Sequence, residues 1–96
     1  MRQRAETIGS ILNRTLARLG ITAKLKELEA VRRFKEIVGE RIAQQAEAVA
    51  IKDGRLQVRV SSPAWRQELT YSKQEIIDSL NSALGEKVVT DIHFTG

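Results

Sequence analysis

Apolar residues recur along this chain with more than one period. Ile8, Ile11, Leu12, Leu16 and Leu19 fall on one stripe of an amphipathic helix over residues 5–19. Gly20 follows where a helix-ending glycine belongs, and Ile21 can pack back on Leu16. A second helical region runs from Thr22, a suitable N-cap, to about Ala46. Its stripe changes pitch on the way. Leu25, Leu28, Val31, Phe34 and Ile37 are spaced by three, whereas Phe34, Val38, Ile42 and Ala46 are spaced by four. Each step of three turns the stripe back by about 60°, and each step of four turns it forward by about 40°. A straight helix cannot show both runs to one partner. Either it bends or breaks around residues 30–35, or the two runs meet different partners. Gly39 stands inside the second run, where glycine costs roughly 1 kcal/mol against alanine. That predicts another backbone passing close to it.

The period then shortens to two. In "AVAIKDGRLQVRV", Ala48 to Val60, two alternating runs meet at Asp53-Gly54, a strong hairpin signal. A two-residue loop sets Ile51 opposite Leu56 and Val49 opposite Val58 on a buried face. On the other face it sets Lys52 opposite Arg55 and Ala48 opposite Arg59. Ser62 and Pro63 suit the N-cap and first turn of a further helix. Trp65, Leu69, Ile76, Leu80 and Ala83 share its apolar face, Ile77 and Leu84 widen it, and Gly85 ends it. "KVVTDIHF" reads as a last strand with Val88, Thr90, Ile92 and Phe94 on one side. The order is ααββαβ. It predicts an α+β fold: one small three-stranded sheet with helices packed on one face. A chain of 96 residues makes a single domain, 1–96.

Charge changes this picture. The net charge is +4 and is unevenly placed: residues 1–35 hold nine Lys/Arg against three Glu, and residues 36–96 seven against nine acids. A basic first third fits a polyanion partner, most often nucleic acid, or a solvated helical surface. Around the change of pitch, Glu29 can pair with Arg33 and Arg32 with Glu36. Like charges opposite each other weaken a hairpin. Lys52, Arg55 and Arg59 therefore need a reason to share a face. They either keep an open sheet soluble and block edge pairing, or they bind something acidic.

Catalytic chemistry finds little to work with. There is no Cys, hence no disulfide or thiolate site. The one histidine, His93, lies two residues from Asp91 on the same exposed face, without a nucleophile signature beside it. No metal-ligand cluster or phosphate loop is visible. The expectation is a non-enzyme without cofactor or metal. No apolar run reaches membrane-span length and the first apolar segment is no signal peptide, so a cytoplasmic protein is expected. The outer sheet face should show Lys52, Arg55, Gln57 and Arg59, joined by His93 and Lys87. Such cations neutralise phosphates without reading sequence. Aromatic residues are missing from this face, which separates it from an RRM stacking platform. Trp65 belongs to the core stripe. Tyr71 lies off that stripe and is a candidate for partner contact or base stacking. Arg66 and Lys73, seven apart, flank the same helix.

From Phe34 onward, "FKEIVGERIA", "IKDGRLQVRVSSPAWRQEL", "IIDSLNSALG" and "VTDIHF" resemble, in order, the DciA-like family of bacterial proteins. The resemblance covers about residues 30–95, leaving 1–29 as a basic helical N-terminal extension. Its most specific part is Asp53, Gly54, Leu56, Val58, Val60, Trp65, Glu68 and Leu69. The family often has Trp where this chain has Phe34, a conservative core change. The resemblance implies a compact KH-like fold. It also implies a role in DNA-replication initiation, through binding the replicative helicase DnaB and promoting its loading onto single-stranded DNA without ATPase activity. Many members carry an extra basic tail. None follows Thr95-Gly96, so either the sequence is trimmed there or the basic N-terminal helices take over DNA contact. The Gly-x-x-Gly loop with which KH domains grip nucleic acid is also absent.

The expected DNA contacts are Arg55 and Arg59, then Lys52, Arg14, Arg18, Arg66 and Lys73. The expected partners are DnaB and single-stranded DNA, with double-stranded DNA a further candidate, no membrane, and self-association through residues 22–37. The expected location is the cytoplasm, at the nucleoid. Two rival readings stand beside this one: a KH-like RNA-binding module, and a protein-interaction adaptor that binds no nucleic acid.

Overall fold

The computed structural model describes residues 21–96. Helix α1 spans Ile21–Val38 and the short α2 spans Glu40–Ala43. Strands β1, Ala46–Lys52, and β2, Arg55–Val60, form the hairpin. Helices α3, Pro63–Tyr71, and α4, Lys73–Leu84, lead to β3, Asp91–Thr95. The result is an α+β fold with a three-stranded sheet ordered β1-β2-β3. β1 pairs antiparallel with β2, and β2 pairs parallel with β3. Helices cover one face. The predicted helix over residues 5–19 lies outside the described residues.

The α1 helix runs unbroken through residues 30–35, so of the two alternatives the bend is excluded, and the helix packs against two partners, β1 and α4. The four-residue spacing wins the core: Ala30 and Phe34 are buried, while Leu25 and Leu28 are 54% and 63% exposed. The break comes later, at Gly39, whose φ of 91° and ψ of 160° exclude a residue with a Cβ. No heavy atom lies within 4 Å of a Cβ built there, so Gly39 supplies a backbone conformation rather than room for another chain. Glu29 pairs with Arg33 as expected, at 3.1 Å. Glu36 also takes Arg33, at 2.6 Å, and leaves Arg32 exposed. Lys26 Nζ donates to the Leu84 carbonyl at 3.2 Å, tying α1 to the end of α4. A cation there also meets the negative end of the helix dipole.

The hairpin turn forms as predicted, with φ of 51° at Asp53 and 82° at Gly54. Ile51 faces Leu56, and Lys52 faces Arg55. Beyond Ala50 the register shifts by one residue. Ala48, not Val49, faces Val58, and Glu47, not Ala48, faces Arg59. Val49 is the extra residue of a bulge and points outward. The bulge turns Ala46 and Ala48 onto the core side, where they pack with buried Leu56, Val58 and Val60.

Ser62 caps α3 by accepting the Trp65 N–H at 3.2 Å, with Pro63 in the first turn. The predicted single helix is two. Ser72, at φ −98° and ψ 9°, ends α3 and starts α4. Ile76, Ile77, Leu80 and Leu84 carry the buried face of α4, and Ala83 is exposed. Strand β3 also starts later than "KVVTDIHF" suggested. Val88 and Val89 are buried in an irregular segment that Asn81 holds. Asn81 Oδ1 accepts the Val88 and Val89 N–H groups at 2.9 and 2.8 Å, and Nδ2 donates to the Val89 carbonyl at 2.9 Å. One side chain thus does the work of a strand neighbour.

Candidate nucleic-acid interface

Strand alternation decides which charges reach the open face. In β2, Leu56, Val58 and Val60 point into the core, so Arg55, Gln57 and Arg59 point away from it. Cross-strand pairing extends each position into a row. Lys52, Arg55 and Asp91 form one row, Ala50, Gln57 and His93 the next, and Glu47, Arg59 and Thr95 the third. Asp91 and His93 thus share the open face, as their spacing implied. Lys87 does not join them, because it precedes β3. None of these positions carries Phe, Tyr or Trp.

The hairpin that presents Lys52 and Arg55 is anchored through its turn. The Gly54 N–H donates to Glu27 Oε2 of α1 at 2.8 Å, and the Gly54 carbonyl accepts the Thr90 N–H at 2.8 Å. Helix α1 and the approach to β3 therefore fix the row from opposite sides.

The cations differ in their surroundings. Lys52 and Arg59 are exposed, and among the described residues neither makes an ion pair within 4 Å. Arg59 lines a shallow cavity of about 250 Å³ with Gln45, Ser61 and Gly96. Arg55 Nε lies 3.6 Å from Asp91 Oδ2, and Lys73 Nζ lies 3.4 Å from Asp91 Oδ1. Both distances exceed those of a tight charge-assisted bond, and all three side chains are a third exposed or more, so the pairs are weak. The Asp91 carboxyl titrates below the usual carboxylate range. A bond from the Ile92 backbone N–H contributes most, Lys73 and Arg55 assist, and partial burial opposes them. Asp91 is therefore ionised at neutral pH.

Lys73 thus reaches the β3 edge at its start. Arg66 reaches its end, since a Cβ on Gly96 would lie 2.7 Å from Arg66 Nη2. Arg66 is half-buried, and its Nε is buried without a hydrogen-bond partner. It is the least available of the candidate cations that the structure describes. Arg14 and Arg18 lie outside the described residues. Tyr71 is 78% exposed and its hydroxyl accepts from Gln67 Nε2 at 3.2 Å.

The structure thus brings Lys52, Arg55, Arg59 and Lys73 to one face or its rim and sets Arg66 at the β3 end. The place of Asp91 beside Arg55 in this row has no signature in the sequence. Only the parallel register of β2 and β3 sets it beside Arg55, and no local pattern encodes that register.

Elsewhere, a groove of about 420 Å³ runs between α2 and α3, lined by Arg41, Ile42, Trp65, Glu68, Leu69 and Ser72. It gathers one cation and one acid around an apolar floor. Among the described residues no three His, Cys, Asp or Glu side chains group as metal ligands. No described helix is long and apolar enough to cross a membrane.

Comparison with known proteins gives this face a context. The chain is 31% identical over 91 residues to a UPF0232 protein of Rhodococcus jostii, covering 95% of this chain and 48% of that protein. It is 33% identical over 86 residues to a UPF0232 protein of Mycolicibacterium paratuberculosis, covering 88% and 48%. It is 30% identical over 90 residues to one of Bifidobacterium longum, covering 93% and 57%. The chain thus spans about half the length of these relatives. The family model described as "Dna[CI] antecedent, DciA" matches residues 7–94, nearly the whole sequence. The chain belongs to the DciA family.

Proposed function

We propose that this chain is a non-enzymatic adaptor of DNA-replication initiation. It binds the replicative helicase DnaB and assists its loading onto single-stranded DNA. The open sheet face holds the strand through its phosphates, at the nucleoid in the cytoplasm. One observation carries the reading: in a chain of the DciA family, Lys52, Arg55 and Arg59 are exposed on a sheet face that the helices among the described residues leave open. Like charges placed side by side cost stability, and a phosphate backbone recovers that cost by releasing counterions. Arg55 and Arg59 make the central contacts, with Lys52 and Lys73 at the ends of one row and Arg66 at the β3 end. Arg14 and Arg18, outside the described residues, are proposed as further phosphate contacts from the basic composition of the first third alone. The contact does not read sequence, and double-stranded DNA competes for the same cations.

Contacts with protein partners use what the fold leaves apolar and exposed. Tyr71 is one such group. Leu25 and Leu28, on the outward side of α1, and Val49, at the β1 bulge, are others among the described residues, and the two leucines are where residues 22–37 would meet a second copy.

A pull-down of the DnaB-type helicase from the same source, with and without single-stranded DNA, tests the reading. Retention of the helicase is expected in both arms, and more of it with DNA. No retention in either arm contradicts the loader function.

A further inference from the structure

We propose that Asp91 is a built-in competitor for nucleic-acid phosphate, occupying an anion position that Arg55 and Lys73 create. This rests on the sheet-face reading above and adds a regulator to it. Two cations from different elements, β2 and the start of α4, converge on one carboxylate. Each of its oxygens faces one cation, Oδ2 toward Arg55 and Oδ1 toward Lys73. A phosphodiester likewise presents two anionic oxygens on one centre and can replace the carboxylate between the same two groups. At 3.4 and 3.6 Å the existing pairs are loose and half in water, so displacement sacrifices little. The third cation of the row, Lys52, stands opposite Arg55 and is unpaired among the described residues. It sets the direction from which a strand would arrive.

The consequence is weak holding by design. Asp91 repels a phosphate at the rim and returns to Arg55 and Lys73 as the phosphate leaves, which favours release. A protein that passes a strand to another machine needs release as much as capture. Because the carboxylate stays ionised at neutral pH, the competition is constant there.

Asp91→Asn tests this. The amide keeps an oxygen that can accept the Ile92 N–H, removes the charge and turns the other oxygen into an NH2 donor that cannot hold a cation. Binding to a single-stranded oligothymidylate, read by fluorescence anisotropy over a salt series, should tighten by about three- to tenfold at low salt, and the log–log salt slope should steepen by about 0.7, one additional phosphate. Lys73→Gln in the same background should cancel much of the gain, which a double-mutant cycle reads. Asp91→Ser is the second variant should the amide disturb folding, and each variant's thermal midpoint is recorded beside its affinity. Folded Asp91 variants that bind no more tightly than the parent at any salt overturn the proposal. If Arg55→Glu with Arg59→Glu weakens binding while Asp91→Asn leaves it unchanged, this inference alone falls. If neither changes binding, the sheet-face reading falls with it.

Discussion

Gly54→Ala should lower stability by about 2–5 kcal/mol, with a left-handed backbone costing about 1–2 kcal/mol and overpacking about 1–3 kcal/mol. The first cost follows from φ of 82°. The second follows from Thr90: a Cβ on residue 54 would lie 2.7 Å from its Oγ1 and 3.3 Å from its Cγ2. The Val88 carbonyl, also at 3.3 Å, closes the remaining side. Movement is not a cheap escape, because the same residue donates to Glu27 and accepts from Thr90 through its backbone. For a domain of this size the thermal midpoint should fall by about 10–25 °C. Thermal unfolding followed by circular dichroism measures it. Thr90→Ala removes two of the three close atoms and should restore part of the loss. An unchanged midpoint in Gly54→Ala would mean that the turn does not lock helix, hairpin and β3 together.

Asn81→Ala should cost about as much, roughly 2–4 kcal/mol, by leaving two N–H groups and one carbonyl without partners. Val88 and Val89 are buried, so water cannot replace the amide freely. The damage should be local first. The amides of Val88 and Val89 should lose hydrogen-exchange protection before those of β2, because β2 keeps neighbours on both sides. Asn81→Asp separates the two halves of the clamp. It keeps acceptors for both N–H groups but sets a carboxylate against the Val89 carbonyl, so it should fall between parent and alanine only if the two N–H bonds dominate. Equal exchange rates at Val88 and Val89 in parent and Asn81→Ala would refute the clamp.

Both positions show where a sequence stops being legible. The Asp53-Gly54 turn and the Ser62-Pro63 cap could be read directly, because the backbone conformations they need are local. The burial of Leu56, Val58, Ile76 and Leu80 could also be read, since period and burial coincide there. What failed depended on partners distant in sequence. The three-residue spacing from Leu25 to Ile37 resembled one core stripe, yet along the unbroken α1 only its later members Val31, Phe34 and Ile37 reach the core, and Leu25 and Leu28 stay exposed. Val49 alternated correctly for an inward residue, but one bulge reversed every position before Ala50. Ser72 and Glu75 do have the spacing of a capping box, but the continuous apolar face from Trp65 to Leu84 masked it, and the Ser72 side chain makes no cap bond in the fold. The single-sided cations Lys52, Arg55 and Arg59 were legible from the hairpin. The partnership of Arg55 and Lys73 with Asp91 was not, because it needs the strand order.

In the function proposed above, the outward cations of the sheet meet a phosphate backbone. The most direct test is the affinity for single-stranded oligothymidylate across a salt series, comparing the parent with Arg55→Glu/Arg59→Glu. Loss of two phosphate contacts should flatten the log–log slope by about 1.4, with affinity falling at low salt while the variant remains folded by circular dichroism. A double variant that binds as the parent does at every salt concentration would contradict the account.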